Sequence, residues 1–190
     1  MKTRREESKG EKHLGTRDLT LIGVLSALWV VLHLTIGPLG FTLFRLPVLC
    51  DVAAYSTLLL AVWILGKLGG ALLVGIIGSV IMLLLRPGAF QILGFAASAV
   101  IFDILCLAVR HEVSKKLVKI VALAVVTIVS AYFAGAVIGL IFMAGSLEWS
   151  LTYWAGWHAV GGLLSVIITL PVIGALERAN VRRLIYGGAS

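Results

Sequence analysis

Residues 46–109 read LPVLCDVAAYSTLLLAVWIL, then GK, then LGGALLVGIIGSVIMLLL, then RPG, then AFQILGFAASAVIFDILCLAV. A helix that crosses about 30 Å of hydrocarbon at 1.5 Å per residue needs roughly 20 mostly apolar residues. Each of the three runs meets that need, and only Gly66-Lys67 and Arg86-Pro87-Gly88 separate them. Proline and glycine stop one helix and start the next. Connectors this short force neighbouring helices to run antiparallel.

Working outward, residues 19–36, 120–144 and 151–176 are also apolar enough to span, which with 46–65, 68–85 and 89–109 makes six segments. The expected fold is therefore an all-α membrane protein, a compact bundle of six transmembrane helices. Residues 1–18 and 179–190 are expected as cytoplasmic tails around a transmembrane domain of residues 19–178. The polar, mixed-charge start leads into its first apolar run without a small-residue cleavage pattern, so that run is read as a retained span and not as a removed signal peptide. The longest segment, the fifth, is expected to tilt. Pro171 is expected to kink the cytoplasmic half of the sixth.

Composition agrees. The chain is 60% hydrophobic and 13% charged, with a mean hydropathy of +1.07, whereas a soluble domain keeps about a quarter of its residues charged. A net charge of +7 would raise the question of nucleic acid in a soluble protein. Here the basic residues gather at helix ends, where membrane orientation and anionic lipid account for them. With the N-terminus inside, the inner face collects Lys2, Arg4, Arg5, Lys9, Lys12 and Arg17, then Lys67, then Arg110, Lys115, Lys116 and Lys119, then Arg178, Arg182 and Arg183. The outer face keeps Arg45 and Arg86. That asymmetry predicts an even number of spans with both termini cytoplasmic, in the plasma membrane. Cys50 and Cys106 lie inside apolar runs with neither metal-ligand spacing nor a disulfide framework, and read as small buried residues.

Ionisable residues inside a membrane are costly and point to function. Four stand out: His33, Asp51, Asp103 and His158. Asp51 falls about one turn into the second span, near the outer face. It either complements a helix N-terminus or faces a ligand at a cavity mouth. Asp103 lies deeper, where an interhelical hydrogen bond to a hydroxyl or the backbone is expected. The densest cluster opens the last span: Glu148, Trp149, Tyr153, Trp154, Trp157 and His158. Helical spacing puts Trp154, Trp157 and His158 on one face, with Gly161 and Ser165 below. Aromatic walls over small residues leave room for a flat ligand. An interfacial aromatic belt would look similar, and fits Trp149 and Tyr153 best; for Trp157 and His158 both readings stand. In the first span, Gly23 and Ala27 form a small-xxx-small pair that lets another helix approach closely, with His33 turned roughly 80–120° away.

Over nearly its whole length the chain resembles the substrate-binding S components of energy-coupling factor (ECF) vitamin transporters. The residues that carry the likeness are Arg45-Leu46-Pro47, Asp51-Val52, Gly66-Lys67-Leu68-Gly69-Gly70, Gly75-Ile76-Ile77-Gly78-Ser79, Arg86-Pro87-Gly88 and Gly94-Phe95-Ala96. The resemblance implies a bundle that holds one small molecule near its outer face, under a lid formed by Gly37-Pro38-Leu39-Gly40. It implies docking through Gly23 and Ala27, where the family often carries two alanines, onto a coupling membrane subunit driven by two ATPases. No P-loop occurs here, so ATP would be hydrolysed by those partners, and no cofactor is expected on this chain. The site expected from the residues and the resemblance comprises Trp154, Trp157, His158, Asp51, His33, Tyr153 and Glu148, binding a flat heterocycle such as thiamine or one of its precursor rings.

A non-enzymatic six-helix scaffold of a cell-envelope assembly, of the MreD type, would share the spans and lack the cavity. An intramembrane enzyme needs clustered catalytic groups, and the acids here are spread one per span, so the chain is not expected to be an enzyme.

Overall fold

The computed structural model describes residues 14–111, 113 and 117–187, and among them all regular structure is helical. The helices are α1 (Thr16–Phe44), α2 (Val48–Leu65), α3 (Gly70–Leu85), α4 (Ile92–Leu105), α5 (Leu117–Val137), α6 (Ala155–Arg178) and a short α7 (Val181–Tyr186). A 3-10 turn, Cys106–Val109, extends α4; π-helical turns at Ile138–Phe142 and Trp149–Trp154 end α5 and lead into α6. The expected tail residues Lys2 to Lys12, and Lys115 and Lys116, lie outside the described residues.

Among the described residues five stretches are long and apolar enough to cross a membrane: Thr16–Phe44, Val48–Leu65, Ile92–Val109, Leu117–Phe142 and Trp149–Arg178. The run expected as a third span is helical too, but with 16 residues α3 rises only about 24 Å. It is short because the turn after α2 takes Gly66 (φ +58°) and Gly69 (φ +87°) through the left-handed region, delaying the helix start.

One expectation is overturned. Gly37-Pro38-Leu39-Gly40 is not a lid loop but the continuation of α1, which runs on to Phe44. Pro38 removes one backbone donor, a loss a membrane helix tolerates when neighbours pack against it. Here the glycines supply that packing: a Cβ on Gly37 would sit 3.2 Å from Cys50 Sγ, and one on Gly40 would sit 3.1 Å from the Leu46 carbonyl. The turn into α2 is Arg45-Leu46-Pro47, with Arg45 in the left-handed conformation.

α2 is the central helix. Two-thirds of it is buried (67%), against 33% for α1 and for Trp149–Arg178, and α1, α3 and α6 pack around it. Lipid is as apolar as leucine, so close packing of small residues carries the association here. On α2, Ala53, Ala54 and Ala61 are buried. Gly78 of α3 seats the Trp29 ring of α1, at a spot where a Cβ would approach to 2.7 Å.

Candidate functional site

The end of the bundle formed by the close of α1, α3 and α5 and the start of α2, α4 and α6 encloses a cavity of about 550 Å³. Two histidines help to wall it. His33, on α1, tilts against Trp29 at 3.8 Å between ring centres and donates from Nδ1 to the Trp29 carbonyl at 2.9 Å. His158, on α6, lies 5.6 Å from the Trp154 ring and donates from Nδ1 to Asp51 Oδ1 at 2.8 Å. Phe95 of α4 links them, edge-on to His33 at 5.4 Å and tilted against His158 at 5.7 Å. Phe41, Phe142, Cys50, Met82 and Met143 complete much of an apolar lining, with Gln91 and Arg86 at an exposed rim.

The Nδ1 bonds determine what these rings offer. A carbonyl and a carboxylate only accept, so the Nδ1 proton is committed, and Nε2 of a neutral ring is left as an acceptor. Among the described residues neither Nε2 has a partner, nor do Trp154 Nε1 and Asp51 Oδ2. Buried polar atoms are ordinarily bonded, and three of these four, His33 Nε2, His158 Nε2 and Trp154 Nε1, belong to residues that line the cavity.

Local sequence explains the placement. Gly161 lets α2 close against α6: a Cβ there would lie 2.5 Å from Asp51 Cβ and 2.8 Å from the Val48 carbonyl. Ser165 Oγ, 3.0 Å from the Asp51 carbonyl, fixes the same contact. The π turns Ile138–Phe142 and Trp149–Trp154 both contribute lining residues, and such turns recur at functional sites.

Of the expected site residues, His33, Trp154 and His158 line the cavity. Asp51 does not line it; fully buried, it stands behind His158. The room expected over Gly161 and Ser165 is filled by α2. Trp157, Tyr153 and Glu148 are elsewhere. Trp157 is half-buried edge-on to Tyr153 at 6.4 Å, Tyr153 is 48% exposed, and Glu148 is exposed. The expectation for Trp157 fails because it sits 100° around the helix from His158, too far to share a narrow cavity face. Trp149 stacks on Trp154 at 5.3 Å and supports the wall from behind. Gly23 and Ala27 are exposed on the outer surface of α1, and nothing lies within 4 Å of a Cβ on Gly23. Sequence reasoning missed Phe95, Phe41 and Met82 as lining residues: in a chain this apolar, no pattern distinguishes a lining phenylalanine from a core one.

Asp103 belongs to the opposite end. Its Oδ2 accepts from the Gly69 backbone at 2.6 Å and its Oδ1 pairs with His111 Nε2 at 3.2 Å, an interhelical bond to the backbone of the kind expected. Among the described residues no cluster of three or more His, Cys, Asp or Glu is placed to hold a metal ion.

Fold and composition define a helical membrane protein. Compared with known proteins, the chain matches no family model, no curated protein and no solved structure.

Proposed function

We propose that this chain is a substrate-binding membrane subunit of an ECF-type importer, which captures a small heterocycle from outside and hands its transport to a coupling subunit and two ATPases. The observation that carries the reading is the 550 Å³ cavity walled by His33, Phe95, Trp154 and His158. Its size suits one vitamin-sized molecule. Among the described residues it opens at the end that holds only Arg45 and Arg86 of the basic side chains, while Arg17, Lys67, Arg110, Lys119, Arg178, Arg182 and Arg183 sit toward the other. On the positive-inside rule the cavity then faces out, both termini are cytoplasmic, and α3 serves as a short sixth span in the plasma membrane. The exposed Gly23–Ala27 strip is the surface through which α1 would meet the coupling subunit.

Cavity chemistry narrows the ligand. The charged residue of the lining is Arg86, and Asp51 is held behind His158. That suits a neutral ring with N–H donors, such as an aminopyrimidine precursor of thiamine, better than a thiazolium cation. Stacking on Trp154 would add about 0.5–1.5 kcal/mol to those hydrogen bonds.

Titrating the purified chain with thiamine, its pyrimidine precursor, riboflavin and biotin, while following tryptophan fluorescence, tests this. One compound should quench saturably, and Trp154→Ala should weaken its binding by roughly tenfold, the loss of a ring stack plus a hydrogen bond. Silence from every compound, with unchanged uptake in a Trp154→Ala and His158→Ala strain, would leave the envelope scaffold as the better reading.

A further inference from the structure

At the end away from the cavity just described, a second cavity of about 440 Å³ lies between the α2–α3 turn and α7. Over a floor of Ile64 and Leu65 it is walled by Lys67, Arg182, Arg183 and Tyr186. From this geometry we infer a binding site for the phosphate of an anionic phospholipid headgroup.

Charge balance is the first support. Among the described residues Asp18 is the acid of this corner, and both of its oxygens are used. It accepts from Lys67 Nζ at 2.5 Å, from the Gly15 backbone at 2.8 Å and from the Tyr186 hydroxyl at 2.9 Å. Lys67 is thereby matched, and among the described residues no carboxylate pairs with Arg182 or Arg183. Two guanidinium groups therefore border the cavity with no carboxylate partner among the described residues. Their planar forks suit the several oxygens of a phosphate, which can accept from both. Burial, then the bond to Asp18, pushes the Tyr186 hydroxyl up to about 12, so it stays protonated across the physiological range.

Location is the second. After Arg178 the chain turns at Asn180 (φ +55°), and α7 folds back onto the bundle, tied by Arg17 Nη1 to the Ile185 carbonyl at 3.3 Å. α7 is thereby held beside the start of α1 and the end of α6, where these spans would leave the hydrocarbon. On it Leu184, 78% exposed, stands beside the two arginines. An exposed leucine next to basic residues on such a helix suits a surface where acyl chains and phosphates lie side by side. A dissolved phosphate would have no use for the leucine or the apolar floor. A phospholipid uses both.

The test is the thermal unfolding midpoint of the full chain in detergent, titrated separately with phosphatidylglycerol, phosphatidylcholine and sodium phosphate. Phosphatidylglycerol should raise the midpoint saturably, and phosphatidylcholine should not. Arg182→Gln and Arg183→Gln should each weaken the apparent affinity by roughly fivefold, the worth of one arginine near an anionic surface. Arg178→Gln removes the same charge outside the cavity and should leave the affinity unchanged. All three arginines are exposed, so the lipid-free midpoint should hold and a folding defect would be visible separately. Equal responses to the two lipids would overturn the inference. So would equal losses in all three variants, the mark of diffuse charge attraction, or a midpoint shift fully reproduced by sodium phosphate.

Discussion

Two buried aspartate–histidine pairs stand at opposite ends of the bundle, and their valences are filled differently. Asp103 spends both oxygens inside the protein, one on His111 Nε2 and one on the Gly69 backbone at the start of α3. Asp51 spends one on His158 Nδ1 and keeps Oδ2 unpartnered, while His158 keeps Nε2 unpartnered in a cavity wall. Both acids are fully buried. The difference is therefore not depth but closure. The closed pair has both acid oxygens engaged across helices, whereas the open pair leaves His158 Nε2 unpartnered among the described residues at the cavity wall.

The largest effect should come from breaking the closed pair. Asp103→Ala orphans the Gly69 N–H and the His111 ring together, and removing one partner of a buried pair costs about 3–5 kcal/mol. Chemical or thermal unfolding in detergent should show that loss, and ligand affinity measured below the transition should be unchanged. An affinity that fell with stability would mean the two ends are coupled, and the contrast between them would collapse.

Gly161→Ala comes next, because it attacks the contact that seats Asp51 rather than the acid itself. The new methyl would meet Asp51 Cβ at 2.5 Å and the Val48 carbonyl at 2.8 Å, so α2 and α6 must part. Overpacking of this kind costs typically about 1–3 kcal/mol. Gly174→Ala on the same helix is the control: nothing lies within 4 Å of its Cβ, so the better helix former should be neutral or stabilise by a few tenths to about 1 kcal/mol. Equal unfolding midpoints for the two variants would refute the close approach at Gly161.

Much of this architecture was legible in the residues, because lipid imposes two coarse demands that sequence displays openly: long apolar runs and basic ends. The runs at 46–65 and 89–109 became α2 and the stretch Ile92–Val109 with only small shifts at the ends. Legibility failed where the deciding information was a neighbour's shape. Gly37-Pro38-Leu39-Gly40 has loop composition, yet it is helical because Cys50 and Leu49 press into the glycines. Trp157 and Phe95 could not be ranked, since which aromatic meets the cavity depends on helix rotation. Asp18 was counted with the polar tail because nothing local shows that Lys67 and Tyr186, far along the chain, converge on it. Asp103 is legible from sequence, as a deeply buried acid has few options besides a hydrogen bond across helices.

Asp51→Asn should have the smallest effect on stability and, for that reason, separates the open pair from the closed one most cleanly. Asparagine keeps the shape and keeps an acceptor for the His158 Nδ1 proton. Its amide also replaces the carboxylate oxygen that had no partner. The unfolding free energy should therefore move by less than about 1 kcal/mol, since the hydrogen bond survives in neutral form. Binding should move more. A carboxylate behind an imidazole enriches Nε2 with electron density and makes it a better acceptor; an amide does so far less. The ligand's hydrogen bond to Nε2 then weakens while staying neutral on both sides, worth up to about fivefold in affinity. Fluorescence titration of the variant beside its unfolding curve gives both quantities from one preparation. A variant that loses stability but not affinity would show that the Asp51–His158 pair, like Asp103 and His111, serves only to hold helices together.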